Sequence, residues 1–98
     1  MQGLKLDESQ RIDIWLYRAR FFKSRALSGR FVSRRKVRLT RGGCTHKLSK
    51  PHFCLRVGDQ LTFVNANKLI IVEILALGLR RGPASEATQL YRVISTDG

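Results

Sequence analysis

Arg11-Ile12-Asp13-Ile14-Trp15-Leu16-Tyr17-Arg18-Ala19-Arg20-Phe21-Phe22-Lys23-Ser24-Arg25-Ala26 is the stretch on which the reading of the whole chain turns. Ile12, Trp15, Leu16 and Ala19 recur at three and four residues, the period of a helix with one buried face. Arg11 and Arg18 fall together on that wheel, beside the apolar stripe. Asp7 and Ser9 are the candidate caps, with Asp7 and Gln10 at capping-box spacing. Phe21, Phe22 and Lys23 read as a turn. Ser24 is a good N-cap for a second helix to about Ser33, burying Leu27, Phe31 and Val32. Both helices are short, so each depends on packing against something else.

Downstream the period changes to two. Val37 and Leu39 alternate with Lys36, Arg38 and Thr40, so the cations face away from the apolar residues. Gly42-Gly43 interrupts this run as a hairpin turn does. A second extended piece runs from Cys44 to Leu48, and Pro51 marks a loop. Val57-Gly58-Asp59 and Asn65-Ala66-Asn67 read as turns around a strand from Gln60 to Val64. Leu69 to Leu77 is rich in β-branched residues and reads as the central strand. A loop from Gly78 to Pro83 leads into a last short helix over Ala84 to Tyr91, with Pro83 suited to its first turn. The order of helices and then strands predicts an α+β domain: two N-terminal helices packed on a small, mainly antiparallel sheet, with a short C-terminal helix. Residues 1–10 read as a polar leader and 92–98 as a C-terminal end.

Charge narrows the function. Between Arg11 and Lys50 there are thirteen Lys and Arg and one acid, Asp13, which accounts for the entire formal net charge of +12. A folded surface of one sign gains stability when a polyanion lies on it. Nucleic acid is the commonest such polyanion, and its phosphates release counterions to Lys and Arg. An anionic membrane or an acidic partner would also satisfy charge alone. The chain of 98 residues makes one small domain, burying about 60–65% of its unfolded surface. Its 43% hydrophobic content is ordinary for a globular protein. The apolar run from Leu69 to Leu79 contains Glu73 and is too short to span a bilayer, so no membrane association is expected. The leader MQGLKLDESQ has no apolar secretory core, which makes a cytoplasmic location the expectation. Two cysteines do not make a disulfide framework, and both are expected to be reduced and buried.

Certain strings together resemble a known family. These are Arg11 to Leu16, Ala19-Arg20-Phe21, Lys23-Ser24-Arg25-Ala26, Lys36-Val37 and Leu55-Arg56-Val57-Gly58-Asp59. They resemble the RNA-binding domain first described in small-subunit ribosomal protein S-four, also called the alpha-L motif. The resemblance covers about residues 11–91 and implies two helices and a small strand layer that grip structured RNA. The tryptophan in the first helix, the segment from Arg81 to Ala87 and Leu90-Tyr91 resemble one branch, the ribosome-associated fifteen-kilodalton heat-shock proteins. That branch implies binding to the large ribosomal subunit, in some members when a nascent chain on tRNA is stuck there. The chain departs from the pattern where it carries Arg34-Arg35, since members usually have glycine there. Members also commonly continue into a longer basic tail, so no tail contribution is expected past Gly98.

The candidate RNA-binding residues are Arg11, Arg18, Arg20, Lys23, Ser24, Arg25, Arg34, Arg35, Lys36, Arg38 and Arg41. Lys23 and Arg25 flank a helix start, which suits a phosphate, while Ser24 caps it. The alternative is a plain cap with two solvated cations. Arg34, Arg35, Lys36, Arg38 and Arg41 have no acid near them in sequence, which is lopsided for an ordinary solvated face. One of Arg11, Arg18 and Arg20 has the competing option of pairing with Asp13. Trp15, Phe21, Phe22 and Phe31 have the spacing of core residues, with Phe22 the best placed to stack on a base. Cys44, His46, His52 and Cys54 form a C-x-H and H-x-C set, but that spacing is unlike the usual zinc site. Arg80 and Arg81 are either a smaller RNA contact or solvated loop residues, and Glu86 suits the dipole of the last helix.

No nucleophile–base pair, phosphate loop or carboxylate pair is present, so no enzyme, catalytic residue, cofactor or metal is expected. The expected protein is a monomer that binds structured ribosomal RNA, that of the large subunit by the resemblance, in a stress or stalled-ribosome recycling role. Transfer RNA is a further candidate partner. Two rivals stay open: a helix-turn-helix-like DNA regulator, and an accessory RNA-binding subunit of an RNA-modifying enzyme.

Overall fold

Two short helices form where the apolar period predicts them, α1 over Ile12–Arg18 and α2 over Arg25–Ser33. The computed structural model describes residues 8–97. Helix α1 starts differently from the expectation. Arg11 precedes it without a side-chain cap; Ser9 lies too early, and Asp7 falls outside the described residues. The first helical N–H groups are instead taken by a distant segment. Ile12 donates to the Phe53 carbonyl at 2.8 Å and Asp13 to that of Pro51 at 3.2 Å. The same crossing makes a miniature antiparallel pair, β1 (Gln10–Arg11) with β4 (Cys54–Leu55). Helix α2 follows its local signal. Ser24 is extended, and its Oγ accepts from Leu27 N–H at 3.1 Å.

The remaining strands are β2 (Val37–Arg41), β3 (Cys44–Leu48), β5 (Gln60–Asn65), β6 (Lys68–Ile74) and β7 (Tyr91–Asp97). They form one antiparallel sheet in the order β3-β2-β5-β6-β7. Two-residue turns join β2 to β3 and β5 to β6. Gly42 and Gly43 have φ of 58° and 81°, and Ala66 and Asn67 have 53° and 65°, the left-handed pair whose twist suits a tight hairpin.

Three sequence expectations are corrected here. The strand at the middle of the sheet is β5, whereas β6 stands one place from the edge and ends at Ile74. Leu75 and Ala76 leave it because their N–H groups donate to the Leu90 carbonyl. The last helix is α3 over Ala84–Ala87 only, continued by a 3-10 turn to Leu90. Tyr91 then begins β7, so most of the expected C-terminal end is a strand that covers the edge of β6.

The core lies between the two helices and one face of the sheet. Ile12, Trp15 and Leu16 of α1, with Ala19 at its C-terminal end, meet Val32 of α2 and Val37, Leu39, Leu61, Phe63, Val72 and Ile74 of the sheet. The Trp15 indole N–H donates to the Ala76 carbonyl at 3.0 Å, which satisfies its one polar atom. Ser28 is fully buried and donates to the Asp13 carbonyl at 2.7 Å, tying α2 to α1. Phe21, Phe22 and Phe31 pack against this core from its margin, as their spacing predicts. Leu27, expected inside, is instead 44% exposed, because α2 turns Ser28 and Val32 inward. Both cysteines are free and exposed, not buried: Cys44 opens the edge strand β3 and Cys54 lies on the outer side of the short β4.

Candidate nucleic-acid interface

The cations divide by what they touch. Four of the sequence candidates have protein partners. Arg11 grips Asp13 through two hydrogen bonds of 3.1 and 2.8 Å. Those bonds hold the Arg11 guanidinium charged above its ordinary range. Arg18 and Arg20 donate to the carbonyls of Gly78 and Gly82, each at 2.6 Å. Arg41 makes two bonds of 2.8 and 2.7 Å to Asp59 and lies over the Phe53 ring. Asp59 is buried and also accepts from Arg56 N–H at 2.8 Å. Arg81 does similar work. It stacks on Tyr17 and donates to the Tyr17 and Phe22 carbonyls, closing the end of α1. Arg80 pairs with Glu86, whose carboxyl is held below its ordinary range by that hydrogen bond.

The other candidates are unengaged. Lys23, Arg25, Arg34, Arg35, Lys36 and Arg38 are all exposed. Among the described residues their side chains make no hydrogen bond or ion pair. Lys23 and Arg25 bracket the start of α2. Ser24 satisfies Leu27 N–H, while the N–H groups of Arg25 and Ala26 make no hydrogen bond among the described residues. Two free amides, a helix dipole and two flanking cations make a seat for a phosphate. Ser24 thus shapes the seat and its Oγ is already occupied.

Arg34 to Lys36 form the corner between α2 and β2. Arg35 has φ of 60° and donates its N–H to the Val32 carbonyl at 2.9 Å. This is the left-handed closure of a helix that glycine takes without strain. Arginine takes it here, so the departure from glycine leaves the closure of the helix in place. Arg38 lies beyond the corner on the sheet face opposite Val37 and Leu39, directly across from Lys47. The free cations therefore follow the chain from the start of α2, through the corner, onto the outer face of the sheet. Sequence reasoning passed over two of them, Arg30 and Lys47. Arg30 stands one helical turn before Arg34, and Lys47 is found opposite Arg38 by counting across the Gly42-Gly43 hairpin.

Two helices on one face of an antiparallel sheet, with cations along α2 and β2 that have no partner among the described residues, define a small basic α+β domain of the alpha-L arrangement. The chain is 36% identical over 84 residues to heat shock protein 15 of Escherichia coli K12 and equally to that of the O6:H1 strain. The match takes in 83% of this chain and 57% of either relative. A solved trimeric structure of Vibrio cholerae heat shock protein 15 superposes with a TM-score of 0.78 at 33% identity. It covers 90% of this chain and 84% of that one. The chain belongs to the heat shock protein 15 family. It spans 57% of the length of the Escherichia coli relatives. No family model matches the chain. Among the described residues no helix is long and apolar enough to cross a membrane.

Proposed function

We propose that this chain binds structured RNA, and that its target is the RNA of the large ribosomal subunit, in a stress or stalled-ribosome role. The observation that carries the reading is the sorting of the cations. Arg11, Arg18, Arg20 and Arg41 are used to hold the fold, yet the cations from Lys23 to Arg38 have no side-chain hydrogen bond or ion pair among the described residues. Such a run suits a ligand that brings phosphates. The seat at α2 and the corner at Arg34 to Lys36 belong to one packed unit, so they meet phosphates at fixed separations. A preformed RNA helix or junction loses less entropy on meeting them than a flexible strand does. Recognition is then by shape and backbone, with modest sequence preference. The choice of subunit rests on resemblance to the heat-shock branch.

Sedimentation of a cell extract through sucrose, probed for this protein, tests the target. It is expected with free large subunits, and association with small subunits alone would overturn the choice. Purified large-subunit RNA should compete better than poly-U of equal length or duplex DNA at matched salt. Lys23→Ala combined with Arg25→Ala should weaken RNA binding with the fold intact. Unchanged affinity in that folded variant would place the phosphate seat elsewhere.

A further inference from the structure

Beside α2 lies an open groove of about 340 Å3 lined by Phe22, Leu27, Arg30, Phe31 and Arg34. That volume is at the small end of ligand sites, which run from about 300 to 1,000 Å3. The Phe22 and Phe31 rings stand 4.9 Å apart at 50° to each other. Leu27 is exposed beside them. Arg30 and Arg34 are one turn apart on the same helix face, where like charges repel. Neither has an acidic partner among the described residues. An aromatic and aliphatic floor with two bare guanidinium groups on its rim fits an anion that carries a flat apolar face.

We propose that this groove takes one unpaired base of a structured RNA, packed against Phe22 and Phe31 with Arg30 and Arg34 beside it. Aromatic rings stack on bases of any identity, and guanidinium planes stack or hold the flanking phosphates. An acidic amphipathic peptide would meet the same charges, but the position of the groove favours a nucleotide. Lys23 follows Phe22 directly, and the free N–H groups of Arg25 and Ala26 begin the same helix. The groove runs along α2 from Leu27 to Arg34, so a base in it lies beside the helix whose start offers the phosphate seat. The proposal rests on the RNA reading and adds a requirement that backbone recognition does not have: an extrahelical base.

Three RNA hairpins test it: one fully paired, one with a single bulged 2-aminopurine, and one with an abasic residue at the bulge. The bulged base should improve affinity about tenfold over the abasic bulge, and its fluorescence should change as it stacks. Phe22→Leu keeps apolar volume but loses a ring. It should lose the bulge advantage while binding the paired hairpin as the parent does, which also shows that it is folded. Arg30→Gln should reduce the advantage in the same way. Equal affinity for the base and abasic hairpins would overturn the groove proposal and leave the RNA reading standing. An acidic amphipathic peptide that displaces no RNA but binds in a Phe22-dependent way would overturn it in favour of a peptide site. Failure of the parent protein to bind any of the three hairpins would sink the RNA reading itself, and the groove with it.

Discussion

Arg20 and Arg35 show how the same residue type in the same strained backbone serves two ends. Both have positive φ, 67° and 60°, a region that costs an L-residue about 1–2 kcal/mol. Arg20 recovers the cost through its bond to the Gly82 carbonyl. Arg35 has no side-chain partner among the described residues, so its strain is retained while its charge stays on the surface. Arg35→Gly is therefore expected to raise stability by about 0.5–1 kcal/mol, the strain relieved less the added chain entropy. It should also weaken RNA binding and reduce the salt slope by about one. Urea unfolding and a salt titration check the two halves, and a variant that gains stability without losing affinity would remove Arg35 from the interface. Arg41 should behave oppositely. Arg41→Ala strands the buried Asp59 carboxylate and is expected to cost about 2–3 kcal/mol, while the salt slope of the folded variant stays that of the parent. A steep fall in slope with normal stability would return Arg41 to the RNA-binding set.

Strand β7 is the element most remote from any local signal, and Tyr91 is its anchor. The ring lies 4.9 Å from Phe21 and 6.2 Å from Trp15, at the seam between sheet and helices. Burial pushes the Tyr91 hydroxyl above its ordinary value of 10.0. The folded state then holds that proton more tightly than the unfolded chain does. This contribution is whole below about pH 10 and is lost as pH rises through the raised folded value. In Tyr91→Phe the alkaline loss should be smaller than in the parent, read as the difference in unfolding free energy between about pH 8 and pH 11. Equal losses in the two proteins would show that the hydroxyl is solvated in the folded state. The same element explains a reading that failed. Gln89, Leu90 and Tyr91 continue the local helical pattern from Ala84, but Tyr91 gains more by pairing with Ile74 across the sheet.

For the molecule as a whole, charge neutralised by an acid of the chain itself, as in Arg11 with Asp13 and Arg41 with Asp59, contributes little to counterion release. With Arg11 and Arg41 so paired, and Arg18 and Arg20 tied down by carbonyls, about five to seven phosphates are expected against the free run and its neighbours. Binding to structured RNA should then weaken with salt at a log–log slope of roughly −4 to −6. A slope shallower than about −2 would show that the free run does not face the RNA. The outward placement of Arg38 and Lys47, facing each other across β2 and β3, costs a little fold stability.

What the sequence determined by itself is whatever is written at short range. The period from Ile12 to Ala19 and the Ser24 cap specify the helices, and Gly42-Gly43 specifies a hairpin, because each depends only on neighbours along the chain. The helices-then-strands order and the excess of positive charge are likewise properties of the string. The start of α1, the strand β7 and the exposure of Leu27 were decided only on folding. So was the difference between an arginine left without a partner among the described residues and a structural one. Arg18 and Arg20 look in sequence like Lys23 and Arg25, but Gly78 and Gly82 carbonyls arrive from some sixty residues away to hold them. The Asp59 carboxylate reaches Arg41 in the same manner. A charge is free or spent according to which polar group folding brings beside it, and that is a long-range fact that no local pattern contains.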